Sequence, residues 1–151
     1  MLWAFFRERF FAARIRRENL LKDLYVLGER SGRLGEYVPI TALMGERGQS
    51  ARTIFRSARP LVARGLIERS GDGLRPTDEG MREAEQVVRK HRLWEVYLTR
   101  RLDLPSDHVH RDAEAMEHAL SESDVNEFEE RLGFPAVDPH GRPIPPRRKG
   151  P

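Results

Sequence analysis

The chain contains no cysteine among its 151 residues. Disulfide bonds, zinc ribbons and thiol chemistry are therefore excluded, and a reducing cytoplasm suits this composition. No apolar run reaches the ~20 residues that a helix needs to span a bilayer. The sequence also lacks an internal repeat, a Ser/His/Asp arrangement and a glycine-rich nucleotide-binding fingerprint. These absences favour a binding protein over an enzyme.

Charge is divided unevenly along the chain, although the net charge is only +3. Residues 1–65 contain 13 Lys/Arg and six Asp/Glu. Residues 103–134 contain only two Lys/Arg but ten Asp/Glu. The basic half indicates binding to a polyanion, and the acidic half indicates cation binding or dimer contacts. With 38% hydrophobic and 34% charged residues, we expect a helix-rich fold with modest cores.

Residues 1–17 form a head in which aromatic residues alternate with arginines, without a signal-peptide cleavage pattern. Two interpretations stay open. The head is an amphipathic first helix that packs on the rest of the protein, or it is an interfacial segment or the juxtamembrane remnant of a longer membrane protein.

Residues 18–77 have the element order of a winged helix-turn-helix domain. A helix over 18–27 is followed by a short helix over 40–44 and by a second helix over 51–64, which Ser50 caps and Gly65 ends. Asp72-Gly73 then predicts the tip of a β-hairpin. The helical spacing predicts that Ile54, Ala58, Leu61 and Val62 face inward. Two short helices followed directly by a hairpin are more specific than either part alone.

The helix over 51–64 is the candidate recognition helix. Arg52, Thr53 and Arg56 fall on its exposed face near the N-terminus, where base edges would be reached. Pro60 is expected to kink this helix, because proline removes a backbone hydrogen bond. The predicted DNA-binding residues, including two in the wing, are Gln49, Ser50, Arg52, Thr53, Arg56, Arg69 and Arg75. The alternative is a solvated basic face.

A long helix is predicted from Thr77, its N-cap, to about residue 102, and it carries His91 and Glu95 one turn apart. A following helix carries His110, Glu114, Glu117 and His118 at i, i+4, i+7 and i+8, which places them on one face. Imidazoles and carboxylates on one face suit a divalent transition metal. A polar face without a ligand is the alternative. A di-iron centre would require comparable motifs on more than one helix.

A short helix over 125–132, capped by residues 121–124, precedes a proline-rich tail that begins near residue 134. His108 and His140 are interpreted as surface or structural residues.

From Glu18 to Pro145 the chain resembles the diphtheria-toxin-repressor family of metal-dependent transcriptional regulators. The segments that carry the resemblance are residues 49–66, 76–80, 90–95, 109–118 and 138–145. The resemblance implies that Glu114, Glu117 and His118 bind one metal ion, and that His91, Glu95 and His110 lie on or beside a second site. Glu114 stands where iron-responsive members have cysteine, as in the manganese-responsive branch. Asn19 falls on the position of a further ligand in the first helix.

The resemblance therefore implies a mainly α fold, with a winged-helix domain over 18–77 and a helical metal-binding and dimerisation domain over 78–133, before a tail over 134–151. We expect a cytoplasmic homodimer that binds an operator in double-stranded DNA. Mn²⁺ or Fe²⁺ is the expected cofactor, and the ligand set also admits Zn²⁺. Metal would tie the first helix to the dimerisation domain and select the spacing that fits DNA.

A second hypothesis comes from the head. The head is similar to the cytosolic end of manganese/zinc ABC-transporter permeases that carry a fused repressor-like domain. The chain would then be a metal-binding regulatory module of a transporter permease, associated with the membrane and without DNA binding.

Overall fold

The computed structural model describes residues 2–101, 118 and 120–148, with side chains from residue 7 onward. These residues are mainly helical and include one small antiparallel sheet, as predicted. The chain divides into two compact units, Met1–Ala84 and Glu85–Pro151. The elements are α1 (Leu2–Ser31), β1 (Val38–Pro39), α2 (Ile40–Arg47), α3 (Ala51–Ala63), β2 (Ile67–Ser70), β3 (Gly73–Pro76), α4 (Asp78–Arg101) and α5 (Glu122–Arg131).

Helix α1 is longer than the predicted helix over 18–27, because it continues back through the head and also runs past Gly28 to Ser31. No glycine or proline interrupts the chain before Gly28, so nothing in residues 2–27 breaks the helix. Phe10 and Phe11 are 72% and 45% exposed, whereas Leu20, Leu21 and Leu24 are buried. Among the residues described, no helix combines the length and the apolarity needed to cross a membrane.

Helices α2 and α3 are joined by a tight turn. Gly48 ends α2 in the left-handed conformation at φ 65°, and its N–H donates to the carbonyl of Met44 at 2.8 Å. The Ser50 hydroxyl then accepts from the N–H of Thr53 at 3.3 Å, which confirms Ser50 as the N-cap of α3.

The buried face of α3 agrees with the prediction at three positions, because Ile54, Ala58 and Leu61 are all at most 2% exposed. Val62 is 42% exposed, so its inward prediction was wrong. It follows Leu61 by one residue, and one helical step of about 100° turns its side chain out of the core. The helix continues through Pro60 to Ala63.

The sheet has three strands in the order β1-β3-β2, all antiparallel. Ser70 pairs with Gly73, so the two-residue turn is Gly71-Asp72, one residue earlier than the predicted tip. Gly71 has φ 56°, a conformation that glycine adopts without steric cost. Strand β1, which was not predicted from the sequence, makes β3 the central strand, and Leu74 of β3 is completely buried.

The first unit has its core between α1, α2, α3 and the sheet. Its fully or largely buried side chains include Leu20, Leu21, Leu24, Leu43, Ile54, Ala58, Leu61, Leu66, Ile67, Leu74 and Ala84. Thr77 caps α4 as predicted, since its hydroxyl accepts from the N–H of Gly80 at 3.1 Å. The same hydroxyl donates to the carbonyl of Gly65 at 2.7 Å, which fixes the start of α4 on the turn that follows α3.

The second unit packs α5 on α4. Ser121 and Asp124 form a reciprocal capping box at the start of α5, so the predicted cap is confirmed, but the helix begins at Glu122, three residues earlier than predicted. Among the residues described, its aliphatic core includes Leu93, Val96, Val125 and Leu132. Beside it, the rings of Trp94 and Tyr97 stack with centroids 5.1 Å apart, and Phe128 of α5 contacts both rings.

Candidate functional site

The exposed face of α3 is a basic surface. It is formed by Arg52, Arg56 and Arg59, and Arg64 follows the last residue of the helix; all four are exposed. Within the described ranges, no carboxylate lies at ion-pair distance from any of these four guanidinium groups. Elsewhere in the first unit, Arg30, Arg33, Arg75 and Arg82 each pair with a glutamate. The α3 face is therefore a concentrated positive charge that is available to a polyanion.

Two predicted residues at the start of α3 have structural roles. The hydroxyls of Ser50 and Thr53 lie 3.0 Å apart, and Ser50 also caps the helix. Gln49 is half-buried just before the cap. Orphan backbone N–H groups in the first turn of a helix suit an anionic partner such as phosphate.

The wing arginines are held by neighbours. Arg69 lies with its Cζ 3.8 Å from the centroid of the Phe55 ring, and its Nε donates to the carbonyl of Gly71 at 3.1 Å. Arg75 donates from Nε to Oε2 of Glu68 at 2.7 Å, and this hydrogen bond raises the pKa of Arg75. Arg75 is thus partly neutralised before any partner binds, in contrast to the α3 arginines.

Asn19 is half-buried on α1 and lines a small pocket with Asp23, Arg47 and Gln49. One turn further along α1, Asp23 accepts two hydrogen bonds from Arg47, at 2.5 and 2.9 Å. Burial raises the pKa of Asp23, and the hydrogen bond from Arg47 opposes that rise. Arg47 is the last residue of α2, so this ion pair links α1 to the turn that precedes α3.

Two of the predicted metal ligands meet on α4. His91 and Glu95 are 4% and 0% exposed, and Nε2 of His91 lies 3.3 Å from Oε1 of Glu95. Ligand atoms at 2.0–2.2 Å from one ion are about 3 Å apart along a coordination edge, so this spacing fits a shared divalent ion. His118 is also buried. His110, Glu114 and Glu117 lie outside the described residues.

The structure adds a cluster to which the sequence analysis gave no role. One ligand atom from each of Glu95, Asp138 and His140 lies within 4.8 Å of the other two. Asp138 and His140 belong to the segment 138–145, which carried the resemblance but received no assigned function. His140 is exposed, as interpreted, yet its ring nitrogen belongs to a donor cluster. The sequence feature that could have revealed this cluster is the turn-forming segment Asp138-Pro139-His140-Gly141, which is followed by Arg142.

A second ionic network holds α5 and the tail in the second unit. Glu129 accepts from Arg89 at 2.7 Å and from Arg147 at 2.6 Å through Oε2. Burial would raise the pKa of Glu129, but the hydrogen bonds from Arg147 and Arg89 outweigh it and lower the pKa. The network therefore depends on an ionised Glu129.

Comparisons with known proteins place these sites in context. Residues 77–146 match the protein-family model described as the iron dependent repressor, metal binding and dimerisation domain. Residues 33–82 match the model described as the HemN C-terminal domain. The first match spans α4, α5 and the segment 138–145.

The relatives include both repressors and a transport protein. The iron-dependent repressor IdeR of Mycobacterium tuberculosis is 34% identical over 130 residues, which are 85% of this chain and 54% of that protein. A probable metal transport system membrane protein of Chlamydia trachomatis is 33% identical over 148 residues, which are 96% of this chain and 33% of that protein. The chain thus spans about a third to half the length of these curated relatives.

Solved structures agree with this grouping. A manganese-dependent transcriptional repressor in complex with manganese superposes with a TM-score of 0.76 at 35% identity, covering 86% of this chain and 58% of that one. The manganese regulator SloR gives a TM-score of 0.74 at 31% identity, covering 86% and 59%. The predicted resemblance to the diphtheria-toxin-repressor family is confirmed, and the fold is that of these regulators.

Proposed function

We propose that this chain, which resembles metal-dependent repressors over most of its length, is itself a metal-dependent transcriptional repressor that binds DNA as a homodimer. Residues 18–77 act as a winged helix-turn-helix domain, and residues 78–133 act as the metal-binding and dimerisation domain. The observation that carries the proposal is the group of exposed arginines on α3, Arg52, Arg56 and Arg59, which form no ion pair with any carboxylate of the described residues and which lie beside a hairpin with the connectivity of a wing. The repressor relatives are regulators, and we propose no enzymatic activity.

Helix α3 is the element that enters the major groove. Its apolar side is buried in the core, so the side that carries the arginines is the one available to DNA. Arg52, Thr53 and Arg56 lie in its first two turns and reach base edges, with Gln49 and Ser50 at the helix start. Arg69 and Arg75 contact the backbone or the minor groove from the wing. In a homodimer, two such helices would reach half-sites about 34 Å apart.

The metal is the signal in this proposal. His91 and Glu95, together with the predicted ligands His110, Glu114, Glu117 and His118, supply imidazole nitrogens and carboxylate oxygens, which suit Mn²⁺ or Fe²⁺ and also admit Zn²⁺. A bound ion stabilises the conformation that fits DNA, and DNA must therefore tighten metal binding by the same factor. On α1, Asn19 is a further candidate ligand, and the Asp23–Arg47 pair connects that helix to the turn before α3.

The α3 face can be tested by substitution. The chain is incubated in Mn²⁺ with a pool of random-sequence duplex DNA, and the bound fraction is amplified and sequenced. We expect an enriched two-fold symmetric sequence for the wild type and no enrichment for Arg52→Ala/Arg56→Ala. Arg82→Ala/Arg33→Ala removes two exposed but glutamate-paired arginines of the same unit and should behave as wild type. Enrichment that survives the α3 substitutions would refute the assignment of α3 as the reading helix.

A second candidate is a metal-binding regulatory module of a metal transporter, without DNA binding. The favouring observation is that the match to the chlamydial membrane protein extends over 148 residues, including the head, compared with 130 for IdeR. Phe10 and Phe11 are exposed beside several arginines, as in a segment that contacts an anionic membrane surface. Sedimentation with vesicles of anionic phospholipid tests this function. Binding by the wild type that Phe10→Ser/Phe11→Ser abolishes would support it.

A further inference from the structure

The turn that contains Asp138 is folded around its carboxylate. Oδ1 of Asp138 accepts from the backbone N–H groups of His140 at 2.8 Å and Arg142 at 2.9 Å. The Asp138 N–H donates to the carbonyl of Arg142 at 2.9 Å, and Gly141 closes the turn with φ 80°. The turn thus presents Asp138, His140 and Arg142 from a fixed backbone.

Arg142 contacts every member of the donor cluster formed by Glu95, Asp138 and His140. Its Nε lies 2.8 Å from Oδ2 of Asp138. Its Nη2 lies 3.6 Å from Oε2 of Glu95 and 3.3 Å from Nδ1 of His140. One guanidinium therefore reaches the same three groups that could share a metal ion.

The charges of the cluster already balance. The side chains of Glu95 and Asp138 are both completely buried, and buried carboxylates require compensation. Nε of Arg92 lies 3.7 Å from Oδ2 of Asp138, and the guanidinium of Arg142 contacts both carboxylates. The two arginines thus balance the charges of the two carboxylates. A divalent ion added here would leave an excess positive charge in a buried place, unless one arginine moved away.

Of the two arginines, Arg142 is the one that can leave. The Arg92 side chain is 1% exposed and its Nη1 donates to the carbonyl of Pro143 at 2.6 Å, so it is enclosed. The Arg142 side chain is 27% exposed, so solvent already reaches part of it. The two oxygens of Glu95 also face different partners, since Oε1 faces His91 and Oε2 faces Arg142.

We propose that the guanidinium of Arg142 holds the place of a divalent cation among Glu95, Asp138 and His140 and competes with that cation for the site. The proposal rests on the proposed function in one respect, because the competing ion belongs to the class that the regulator would sense. In the wild type, this cluster is assembled by the chain's own cation and binds metal weakly. Removal of the guanidinium should open an additional site with two carboxylates and one imidazole, a donor set suited to Mn²⁺.

The test compares Mn²⁺ binding by equilibrium dialysis for the wild type, Arg142→Gln and Arg131→Gln. Arg131 is an exposed arginine of the same unit that pairs with Glu127, so its substitution makes the same change in charge away from the cluster. We expect Arg142→Gln to bind one more Mn²⁺ per chain, or to bind the weakest ion at least tenfold more tightly. Arg131→Gln should match the wild type. Asp138→Asn in the Arg142→Gln background should abolish the gain.

A thermal measurement keeps the proposal testable if Arg142→Gln folds poorly without metal. Its melting temperature in EDTA should fall below that of the wild type, and Mn²⁺ should raise it by more than it raises the wild type. Equal Mn²⁺ stoichiometry and affinity in wild type and Arg142→Gln, or equal metal-induced shifts in melting temperature, would overturn the proposal. If the wild type binds DNA equally with and without Mn²⁺ while Arg142→Gln still gains an ion, the proposed function fails and this inference stands.

Discussion

His91 and Glu95 lie one turn apart on α4, with Nε2 of His91 3.3 Å from Oε1 of Glu95, and both side chains are almost completely buried. The fold thus brings two predicted ligands into direct contact. A buried imidazole and carboxylate at this distance form one coordination edge.

The pair predicts the effect of removing the imidazole. His91→Ala should weaken the binding of Mn²⁺ by at least about tenfold, the scale on which even residues that only orient a ligand act. His108→Ala removes a histidine outside the predicted ligand set and should leave the affinity unchanged. Isothermal titration with Mn²⁺ measures both. An affinity for His91→Ala equal to that of the wild type would mean that this edge holds no ion.

The start of α4 predicts a strong contrast between two helical glycines. A Cβ at Gly80 would collide with the carbonyl oxygen of Leu66, a backbone atom that also accepts from the N–H of Thr77. Gly80→Ala should lower the free energy of unfolding by about 3 kcal/mol, at the upper end of overpacking effects.

The matched control is Gly45→Ala in α2, where an added Cβ meets no atom within 4 Å. That change should be neutral or should stabilise the helix by up to about 1 kcal/mol, because alanine has the higher helix propensity. Urea unfolding followed by circular dichroism measures both variants. Similar unfolding midpoints for the two variants would contradict the packing described at Gly80.

Glu129 predicts a dependence of stability on pH. Hydrogen bonds from Arg147 and Arg89 lower the pKa of Glu129 in the folded chain below its ordinary value of 4.5. The ionised form therefore stabilises the fold above about pH 4.5, and this contribution is lost as the pH falls through the lower folded value. Glu129→Gln should lower the free energy of unfolding near pH 7 by about 1.5–3 kcal/mol, since two hydrogen bonds to a charged group are weakened.

The same variant should also flatten the acid side of the stability profile. Melting temperatures between pH 7 and pH 3 test this, with Glu127→Gln as the control, because Glu127 forms an exposed pair with Arg131 of small expected effect. If the wild type and Glu129→Gln lost stability in parallel as the pH fell, Glu129 would not be the titrating group.

Local features of the fold were predictable because their causes are local. Ser50, Thr77 and Ser121 satisfy backbone N–H groups within three residues, so residue type and position were sufficient to assign them as caps. The hairpin was misplaced by one residue because both Gly71-Asp72 and Asp72-Gly73 suit a turn. Only the cross-strand pairing of Ser70 with Gly73 decides between them.

The candidate site was predictable only in part. His91 and Glu95 share a helix face, so their spacing revealed the pair. The position of Arg142 among Glu95, Asp138 and His140 depends on the turn over 138–142 reaching α4, more than 40 residues earlier in the chain. The periodicity of residue types along a sequence cannot predict a contact between such distant segments. The head was likewise treated as a separate segment because its composition changes, although its backbone belongs to α1.

The central claim, that a divalent metal ion controls DNA binding, is tested most directly by fluorescence anisotropy with the duplex that the wild type selects from the random pool. Titrations are made in Mn²⁺ and in EDTA at one fixed salt concentration, because phosphate contacts depend on salt. We predict that the protein binds the duplex at least tenfold more tightly in Mn²⁺ than in EDTA. The duplex should raise the affinity of the protein for Mn²⁺ by the same factor. Equal DNA affinity in Mn²⁺ and in EDTA would contradict the account.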